Sequence, residues 1–166
     1  MTVLYHGTNV RFEMPDVDAG RDGMDFGKGF YLTPSLDTAR KQADRVVAYA
    51  GGSPVVLAFE FDEDAARRDC AVRDYPLLDR TWVHFVMANR LGDESAADHN
   101  LDRRYPIVHG HVADDRLMQI LDDYENGDLT IEEVEQKLIT AQFKAFQYSF
   151  HVPSAIKYLH PKGEVK

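Results

Sequence analysis

The chain has 166 residues, 44% hydrophobic and 28% charged, which suffices for one globular domain with its own core. Its single cysteine, Cys70, excludes an internal disulfide framework and a cysteine-rich zinc site, and we interpret it as a structural or incidental thiol. The net charge is −9, with 6 basic against 7 acidic side chains in residues 1–50 and 13 against 21 in residues 51–166. This balance argues against non-specific nucleic-acid binding and favours a small-molecule or protein partner.

Membrane and export signals are not evident in the sequence. No apolar run approaches the roughly 18 residues that a membrane span requires. The opening Met-Thr-Val-Leu-Tyr-His lacks the basic and apolar regions of a signal peptide. We therefore expect a cytoplasmic protein without a membrane partner.

The first predicted elements are two short strands separated by a loop. β-Branched and aromatic residues predict a strand over residues 2–6, which a turn at Gly7 ends. Residues 9–25 are broken by proline and glycine and are typical of a loop. A second strand is predicted over residues 29–33.

A helix and a strand follow. Thr33 fits an N-cap and Pro34 the first helical position, and Gly51 and Gly52 end the helix. The alternating, β-branched run over residues 54–62 predicts the next strand.

The middle of the chain is mostly helical. Apolar residues at helical spacing predict a helix over residues 75–91, and a short strand follows at 105–108. A second helix is predicted over 113–124. Thr130 with Glu133 forms a capping box for a third helix that extends to about residue 139.

The chain closes with a predicted strand over residues 146–152 and a short helix over 153–159, opened by Pro153. No repeat or long linker divides the sequence. We therefore expect a single α+β domain over residues 1–166, with a helical insertion at about 75–140.

Three motifs carry the functional hypothesis, and they occur on strand, turn-strand and strand. They are Tyr5-His6-Gly7-Thr8, Phe26-Gly27-Lys28-Gly29-Phe30-Tyr31 and Phe146-Gln147-Tyr148-Ser149-Phe150. Together they resemble the motifs of the ADP-ribosyltransferase superfamily, in its poly(ADP-ribose) polymerase and diphtheria-toxin branch. A closer resemblance is to a small bacterial domain-of-unknown-function family that also shares the segment 105–115.

The resemblance implies a split, twisted antiparallel β core with flanking helices, and NAD as substrate with no metal. It implies mono-ADP-ribosyl transfer to a protein or nucleic-acid acceptor, and a toxin–antitoxin arrangement with a small partner protein. His6, Tyr31 and Gln147 are the implied catalytic residues. The implied NAD-binding set is His6, Gly7, Thr8, Asn9, Arg21, Phe26, Gly27, Lys28, Gly29 and Tyr31.

These residue types fit cleavage of the nicotinamide–ribose bond, which passes through an oxocarbenium-like transition state. Gly7 leaves its backbone open to the carboxamide, because no side chain blocks close approach. His6 would bond a ribose hydroxyl, and Tyr31 would stack on the nicotinamide ring. Lys28 or Arg21 would meet the pyrophosphate, although Lys28 equally fits a solvent-facing position.

Gln147 stands where the resembling enzymes carry glutamate. Glutamine keeps hydrogen bonding but supplies neither charge nor a general base. We therefore expect single ADP-ribose transfer or slow NAD hydrolysis rather than polymer formation. An NAD glycohydrolase and a non-catalytic NAD-binding or ADP-ribose-binding module remain alternatives.

Other polar features have simpler interpretations. His109 and His111 share a strand face at a spacing that suits a metal, but the sequence indicates no third ligand. Asp114 and Asp115 are best explained as N-capping and dipole compensation at a helix start, with a second functional site or an Mg²⁺ site as the alternative. Trp82, Phe85 and Met87 are predicted core residues.

Overall fold

A computed structural model describes residues 1–69, 72–141 and 145–166 of the chain. Cys70 lies outside the described residues, so its predicted structural role stays a prediction. Seven strands are described: β1 (Thr2–Thr8), β2 (Phe30–Leu32), β3 (Val55–Phe61), β4 (Val72–Tyr75), β5 (Ile107–His111), β6 (Phe146–Phe150) and β7 (Leu159–Glu164). The helices are α1 (Leu36–Ala50), α2 (Glu63–Asp69), α3 (Arg80–Leu91), α4 (Asp115–Glu125) and α5 (Ile131–Thr140), with 3₁₀ turns at Val17–Ala19 and Pro153–Tyr158.

The strands form two sheets. The first has the order β1-β3-β7 and the second the order β2-β6-β5-β4. All neighbours are antiparallel except β4 and β5, which run parallel. The α+β class is confirmed, and the core is split into two sheets, but the expectation of a wholly antiparallel core is wrong at this one pair.

Buried apolar side chains fill two main layers. The first lies between the two sheets and combines Leu4 and Phe59 of one sheet with Phe30 and Phe150 of the other. The second lies between the outer face of the second sheet and helices α3, α4 and α5, and Trp82, Phe85 and Met87 belong to it. These three residues are buried, as predicted from the helical spacing.

The predicted insertion at 75–140 contains α3, α4 and α5, together with a strand where a short strand was predicted at 105–108. β5 lies inside it and is an interior strand of the second sheet. The helix predicted from residue 75 begins at Arg80, because Tyr75 precedes Pro76 and a residue before proline disfavours the helical region. Asp79 caps α3 by accepting from the Trp82 N–H at 3.1 Å.

The predicted start of α1 is also corrected. Thr33 remains extended because its backbone pairs with Tyr5, and Ser35 is the N-cap, accepting from the Thr38 N–H at 3.2 Å. By contrast, the Thr130–Glu133 capping box forms as predicted. Asp114 caps α4 through the Leu117 N–H at 2.9 Å, so its capping role is confirmed.

Local sequence signals are weak for the remaining elements. The predicted closing helix is a 3₁₀ turn, and β7 follows it although it contains Pro161. β7 is an edge strand, where a proline is tolerated because one edge needs no partner. No helix in the described part of the chain is long and apolar enough to cross a membrane.

Helix α1 packs directly on the backbone of β1. A Cβ atom at Gly7 would lie 2.0 Å from the Ala39 carbonyl oxygen and 2.7 Å from the Ala43 nitrogen. Ala39 and Ala43 are fully buried at this contact. Gly7 is therefore required for close packing of helix on strand, in addition to any role in a binding site.

We predict that Gly7→Ala destabilises the protein by about 2 kcal/mol or more, because the clash is with backbone atoms that cannot rotate away. The measurement is the free energy of unfolding by denaturant. Gly127→Ala is the control, since Gly127 has φ 81° and a methyl group added there would meet nothing within 4 Å. That control carries only the backbone cost of about 1 kcal/mol. Equal stability of the two variants would contradict the close contact at Gly7.

Candidate functional site

The two sheets are joined edge to edge at a single antiparallel bridge. The Tyr5 N–H donates to the Thr33 carbonyl at 2.8 Å, and the Thr33 N–H donates to the Tyr5 carbonyl at 2.9 Å. In a continuous ladder the next hydrogen-bonded pair would be Gly7 with Tyr31. Instead, the Tyr31 carbonyl accepts from the His6 side chain at Nδ1, 2.8 Å away. The sheets therefore separate one step beyond the bridge, and we call this gap the opening between Gly7 and Tyr31.

At the opening, the backbone groups of Gly7 point toward Tyr31 rather than toward β3, and Gly7 itself is a buried residue. Peptide groups along a strand point alternately to its two edges, so Gly7 directs its N–H and C=O to the same edge as Tyr5. Val56, opposite Gly7 on β3, is bonded on its far side by the Val165 N–H at 2.9 Å, which agrees with this alternation. Within the described residues, no hydrogen bond reaches the Gly7 N–H or C=O.

His6 flanks the opening on the face that looks into the layer between the sheets. Its ring packs on Phe30, with centroids 4.4 Å apart, and on Phe12 at 5.8 Å. Burial lowers the pKa of His6 below its usual value, against the smaller opposing effect of the bond to Tyr31. The imidazole is therefore neutral near pH 7. Because Nδ1 donates to a carbonyl, Nε2 is an acceptor.

Tyr31 flanks the opening on the opposite face. Strand alternation separates the two side chains, since Tyr31 neighbours Phe30, which packs on His6. The Tyr31 hydroxyl donates to the Gly27 carbonyl at 2.6 Å and accepts from the Phe26 N–H at 3.0 Å. Burial raises its pKa well above the usual value. The hydroxyl thus locks the preceding turn, and the residue as a whole is half-buried.

The two turn glycines are needed for different reasons. Gly27 has φ 92°, a left-handed conformation that glycine adopts without strain. Gly29 lies so close to β6 that a Cβ atom would be 2.5 Å from the Phe150 carbonyl oxygen. Together they permit the tight turn that was expected to deliver Tyr31.

Gln147 reaches the same face as Tyr31. Tyr31 pairs with Ser149 on β6, so Gln147, two residues away, points to the same side of the sheet. Its Nε2 donates to the Asp25 Oδ2 at 3.4 Å. The side chains of Tyr31 and Gln147 therefore lie on one side of the opening and His6 on the other, rather than all three on one wall.

The other predicted binding residues have local roles. The Thr8 Oγ1 accepts from the Val10 N–H at 3.3 Å, and the Asn9 amide donates to the Gly51 carbonyl at 3.0 Å. Arg21 is exposed, with its Nε 3.3 Å from the Met24 sulfur.

Lys28 and Phe26 differ in their access to a ligand. Lys28 is half-buried, and within the described residues no ion pair holds its ammonium group. It stays available to an anion at the turn. Phe26 is fully buried and stacks on Tyr31 at 6.3 Å, so its ring is not open to a cofactor in this conformation, and its ligand contact stays a prediction. It supports the turn from inside because its ring belongs to the second core layer.

Asp25 is a buried polar residue that the sequence analysis did not select. It is 9% exposed, and its carboxylate accepts from Arg90 at 2.8 Å and from the Ala113 N–H at 3.2 Å. Its backbone carbonyl accepts from the Asn89 amide at 3.1 Å. An acidic residue placed immediately before the glycine turn is the signal that points to it.

A second buried pair was also missed. The His151 Nδ1 donates to the Lys28 carbonyl at 2.8 Å, and Nε2 accepts from the Ser149 hydroxyl at 2.7 Å. Ser149 and His151 are fully buried, so no substrate reaches them in this conformation. They fix the glycine turn to β6.

A metal centre is not assembled by the described residues. The His109 Nδ1 donates to the Asp74 carboxylate at 3.0 Å, and the His111 Nε2 donates to the Pro76 carbonyl at 3.1 Å. In residues 1–69, 72–141 and 145–166, no group of three or more histidine, cysteine or acidic side chains is arranged to hold a metal ion.

An open groove of about 300 Å³ lies near the His6 side of the opening. Phe12, which contacts the His6 ring, is part of its wall. The Arg11 guanidinium and the Glu164 carboxylate form an ion pair at 2.7 Å in the same wall. The groove is lined by Arg11, Phe12, Glu13, Leu57, Gly163 and Glu164.

Comparison with known proteins gives one match. The model of the family described as Protein of unknown function (DUF3990) matches residues 2–160, which is nearly the whole chain. No curated protein and no solved structure matches the chain.

We predict a pH-dependent contribution of His151 to stability. Burial lowers its pKa from 6.5 to about 4, so protonation favours the unfolded chain between these values. The contribution is complete above pH 6.5 and is lost as the pH falls to about 4, by about 3 kcal/mol.

The measurement is the free energy of unfolding at a series of pH values for the wild type and His151→Asn. The asparagine amide retains a donor for the Lys28 carbonyl but does not titrate. The difference between the two proteins isolates His151 from His6, whose lowered pKa acts in the same direction. A constant difference from pH 7 to pH 4 would contradict the buried neutral imidazole.

Proposed function

We propose that this chain, which belongs to the DUF3990 family, is an NAD-dependent mono-ADP-ribosyltransferase. The observation that carries the proposal is the opening between Gly7 and Tyr31, where a hydrogen-bonded pair of a continuous sheet would lie. The Gly7 N–H and C=O face the opening, while His6 occupies the Tyr31 carbonyl that would otherwise pair with Gly7. Such an opening accepts a planar group with one donor and one acceptor.

The carboxamide of nicotinamide has this donor–acceptor pattern. Its carbonyl would accept from the Gly7 N–H and its amino group would donate to the Gly7 carbonyl, in place of the absent strand partner. The half-buried Tyr31 lies on one side of the opening, and its ring would provide the stacking surface. Because the Tyr31 hydroxyl is bonded twice within the turn, the ring would be held in place before NAD binds.

His6 would bind the ribose part of NAD on the other side. A neutral imidazole with Nδ1 bonded to a carbonyl presents Nε2 as the acceptor for a sugar hydroxyl. Lys28 is half-buried and forms no ion pair with the described residues, so it would offer a positive charge for the pyrophosphate. In the reaction, the nicotinamide–ribose bond breaks, its electrons leave with nicotinamide, and a nucleophile of the acceptor bonds the anomeric carbon.

The two-sheet core with a gap between β1 and β2 supports an ADP-ribosyltransferase-like fold for the chain. The uncharged Gln147 supports one round of transfer rather than polymer formation, since it cannot act as a general base. The acceptor is a protein or a nucleic acid. A small antitoxin partner is part of the same proposal, through the family resemblance.

A binding module without turnover is the second candidate. The observation that favours it is the coupling of Gln147 to Asp25, whose carboxylate is itself bonded to Arg90 and the Ala113 N–H. The Asp25 charge is thus engaged inside the fold rather than offered to an incoming nucleophile.

The test is release of nicotinamide from NAD by the purified protein, alone and with cell extract treated with nuclease or protease. We expect release that requires extract and is abolished by one of the two treatments, which identifies the acceptor class. Release without extract would instead indicate an NAD glycohydrolase. NAD binding with no release under any condition would indicate the binding module.

Two variants of His6 distinguish the contributions of its two ring nitrogens to NAD binding. His6→Asn retains a donor for the Tyr31 carbonyl but lacks Nε2, whereas His6→Ala lacks both. We expect each to weaken NAD binding by about tenfold, the equivalent of one lost hydrogen bond. His84→Ala is the control, because His84 is an exposed histidine on α3. Unchanged NAD affinity in both His6 variants would contradict the proposed site.

A further inference from the structure

Asp25 sits directly behind Gln147, and it is surrounded by donors. Its Oδ1 pairs with the Arg90 guanidinium at 2.8 Å, and its Oδ2 accepts from the Ala113 N–H at 3.2 Å and from the Gln147 Nε2 at 3.4 Å. The Asp25 side chain is 12% exposed. A carboxylate accepts hydrogen bonds and donates none when ionised.

This environment fixes which way the Gln147 amide faces. If the amide were reversed, its Oε1 would meet the Asp25 carboxylate, and two acceptors would oppose each other in a poorly solvated site. The Nε2 therefore faces Asp25, and the Oε1 is directed away from it. Within the described residues, the Oε1 of Gln147 has no hydrogen-bond partner. It is an oriented acceptor on the Tyr31 side of the opening.

A glutamate at position 147 does not fit beside Asp25. A carboxylate oxygen of the glutamate would take the place of the Gln147 Nε2, which lies 3.4 Å from the Asp25 Oδ2. Two carboxylates this close cannot both remain ionised without a large cost. Arg90 offsets only one of the two negative charges, and its ion pair is with the other oxygen of Asp25.

We propose that Asp25 is a positioning residue that makes glutamine, rather than glutamate, the residue required at position 147. Asp25 holds the Gln147 amide by Nε2 and thereby presents Oε1 as a fixed acceptor to a ligand hydroxyl in the opening. The orienting role toward a ligand rests on the proposed function. The requirement for glutamine depends only on the contact between the two side chains.

The test is a charge swap between the two positions. Gln147→Glu places two carboxylates together, and we expect a lower midpoint of denaturant unfolding than for the wild type. In the double variant Asp25→Asn with Gln147→Glu, the new amide at position 25 can donate to the new carboxylate at position 147. The pair then again carries one negative charge near Arg90, as in the wild type. We expect the midpoint of the double variant to exceed that of Gln147→Glu, although it carries one more substitution.

Gln119 and Asp123 provide a matched control. The Gln119 Nε2 donates to the Asp123 Oδ1 at 2.9 Å, but this pair is exposed on α4. The same single and double substitutions there should move the midpoint little, because water screens the charges. A double variant at positions 25 and 147 that is no more stable than Gln147→Glu would overturn the proposal.

A measurement on the wild type keeps the test decisive if Gln147→Glu does not fold. The side-chain amide hydrogens of Gln147 should exchange with solvent more slowly than those of the exposed Gln119. Exchange as fast as that of Gln119 would contradict a fixed amide at position 147.

The effect of Asp25 on the reaction is measured separately, through kcat and the KM for NAD. If the wild type releases nicotinamide, Asp25→Asn should lower kcat by about tenfold or more with little change in the KM for NAD, because it loosens an acceptor without removing it. The double variant should recover part of the kcat, and a loss confined to KM would overturn the orienting role. A wild type without turnover would end the proposed function, while the midpoint comparison would still decide whether Asp25 requires glutamine.

Discussion

Two hydrogen bonds between Tyr5 and Thr33 determine where the sheets of this protein meet and where they part. They form an isolated antiparallel bridge between β1 and the residue that follows β2, at 2.8 and 2.9 Å. One step further, a side chain takes the place of a peptide group, since His6 rather than Gly7 bonds the Tyr31 carbonyl. In a continuous sheet, the N–H and C=O groups of Gly7 and Tyr31 would all face one another as a strand pair. The separation leaves the Gly7 groups unused by the fold, and a fold that leaves backbone groups unused can offer them to a ligand.

Contacts on both sides of this gap hold the segments that border it. On one side α1 presses against Gly7, and on the other the glycine turn is fixed by Tyr31, His151 and Asp25. Each of these polar side chains has hydrogen-bond partners inside the fold. Such a network is costly to break because every unpaired group would lose its partner in a poorly solvated environment. The rigidity supports binding at little cost in conformational entropy.

Much of the fold follows from the sequence, because its signals are local. The capping box at Thr130 and the cap at Asp114 form as predicted, and the central strands appear near their expected positions. The errors lie where tertiary contacts override local preference. Thr33 has the chemistry of an N-cap, but its pairing with Tyr5 keeps it extended. β7 contains a proline and a glycine, and it forms because it needs a partner on one edge only.

The candidate site was predicted in part. The motif residues of β1 and the glycine turn do converge at the opening, but no spacing rule shows that His6 and Tyr31 flank it from opposite faces. That arrangement depends on which strand edge bonds Thr33. Phe26 was assigned to the ligand because it lies in the motif, whereas its apolar ring belongs to the core. Asp25, Ser149 and His151 were missed because a buried polar role depends on partners distant in sequence.

The most direct test of the account is titration of the ¹⁵N-labelled protein with nicotinamide, followed by the backbone amide signals. If the opening receives the carboxamide, the largest shifts will occur at the Gly7 and Tyr31 N–H groups, which face it. The shifts will be smaller at the groove lined by Arg11 and Glu164. Shifts confined to that groove, or no shifts at millimolar nicotinamide (about 4 kcal/mol of binding free energy), would contradict the claim that the gap between the sheets is a nicotinamide site.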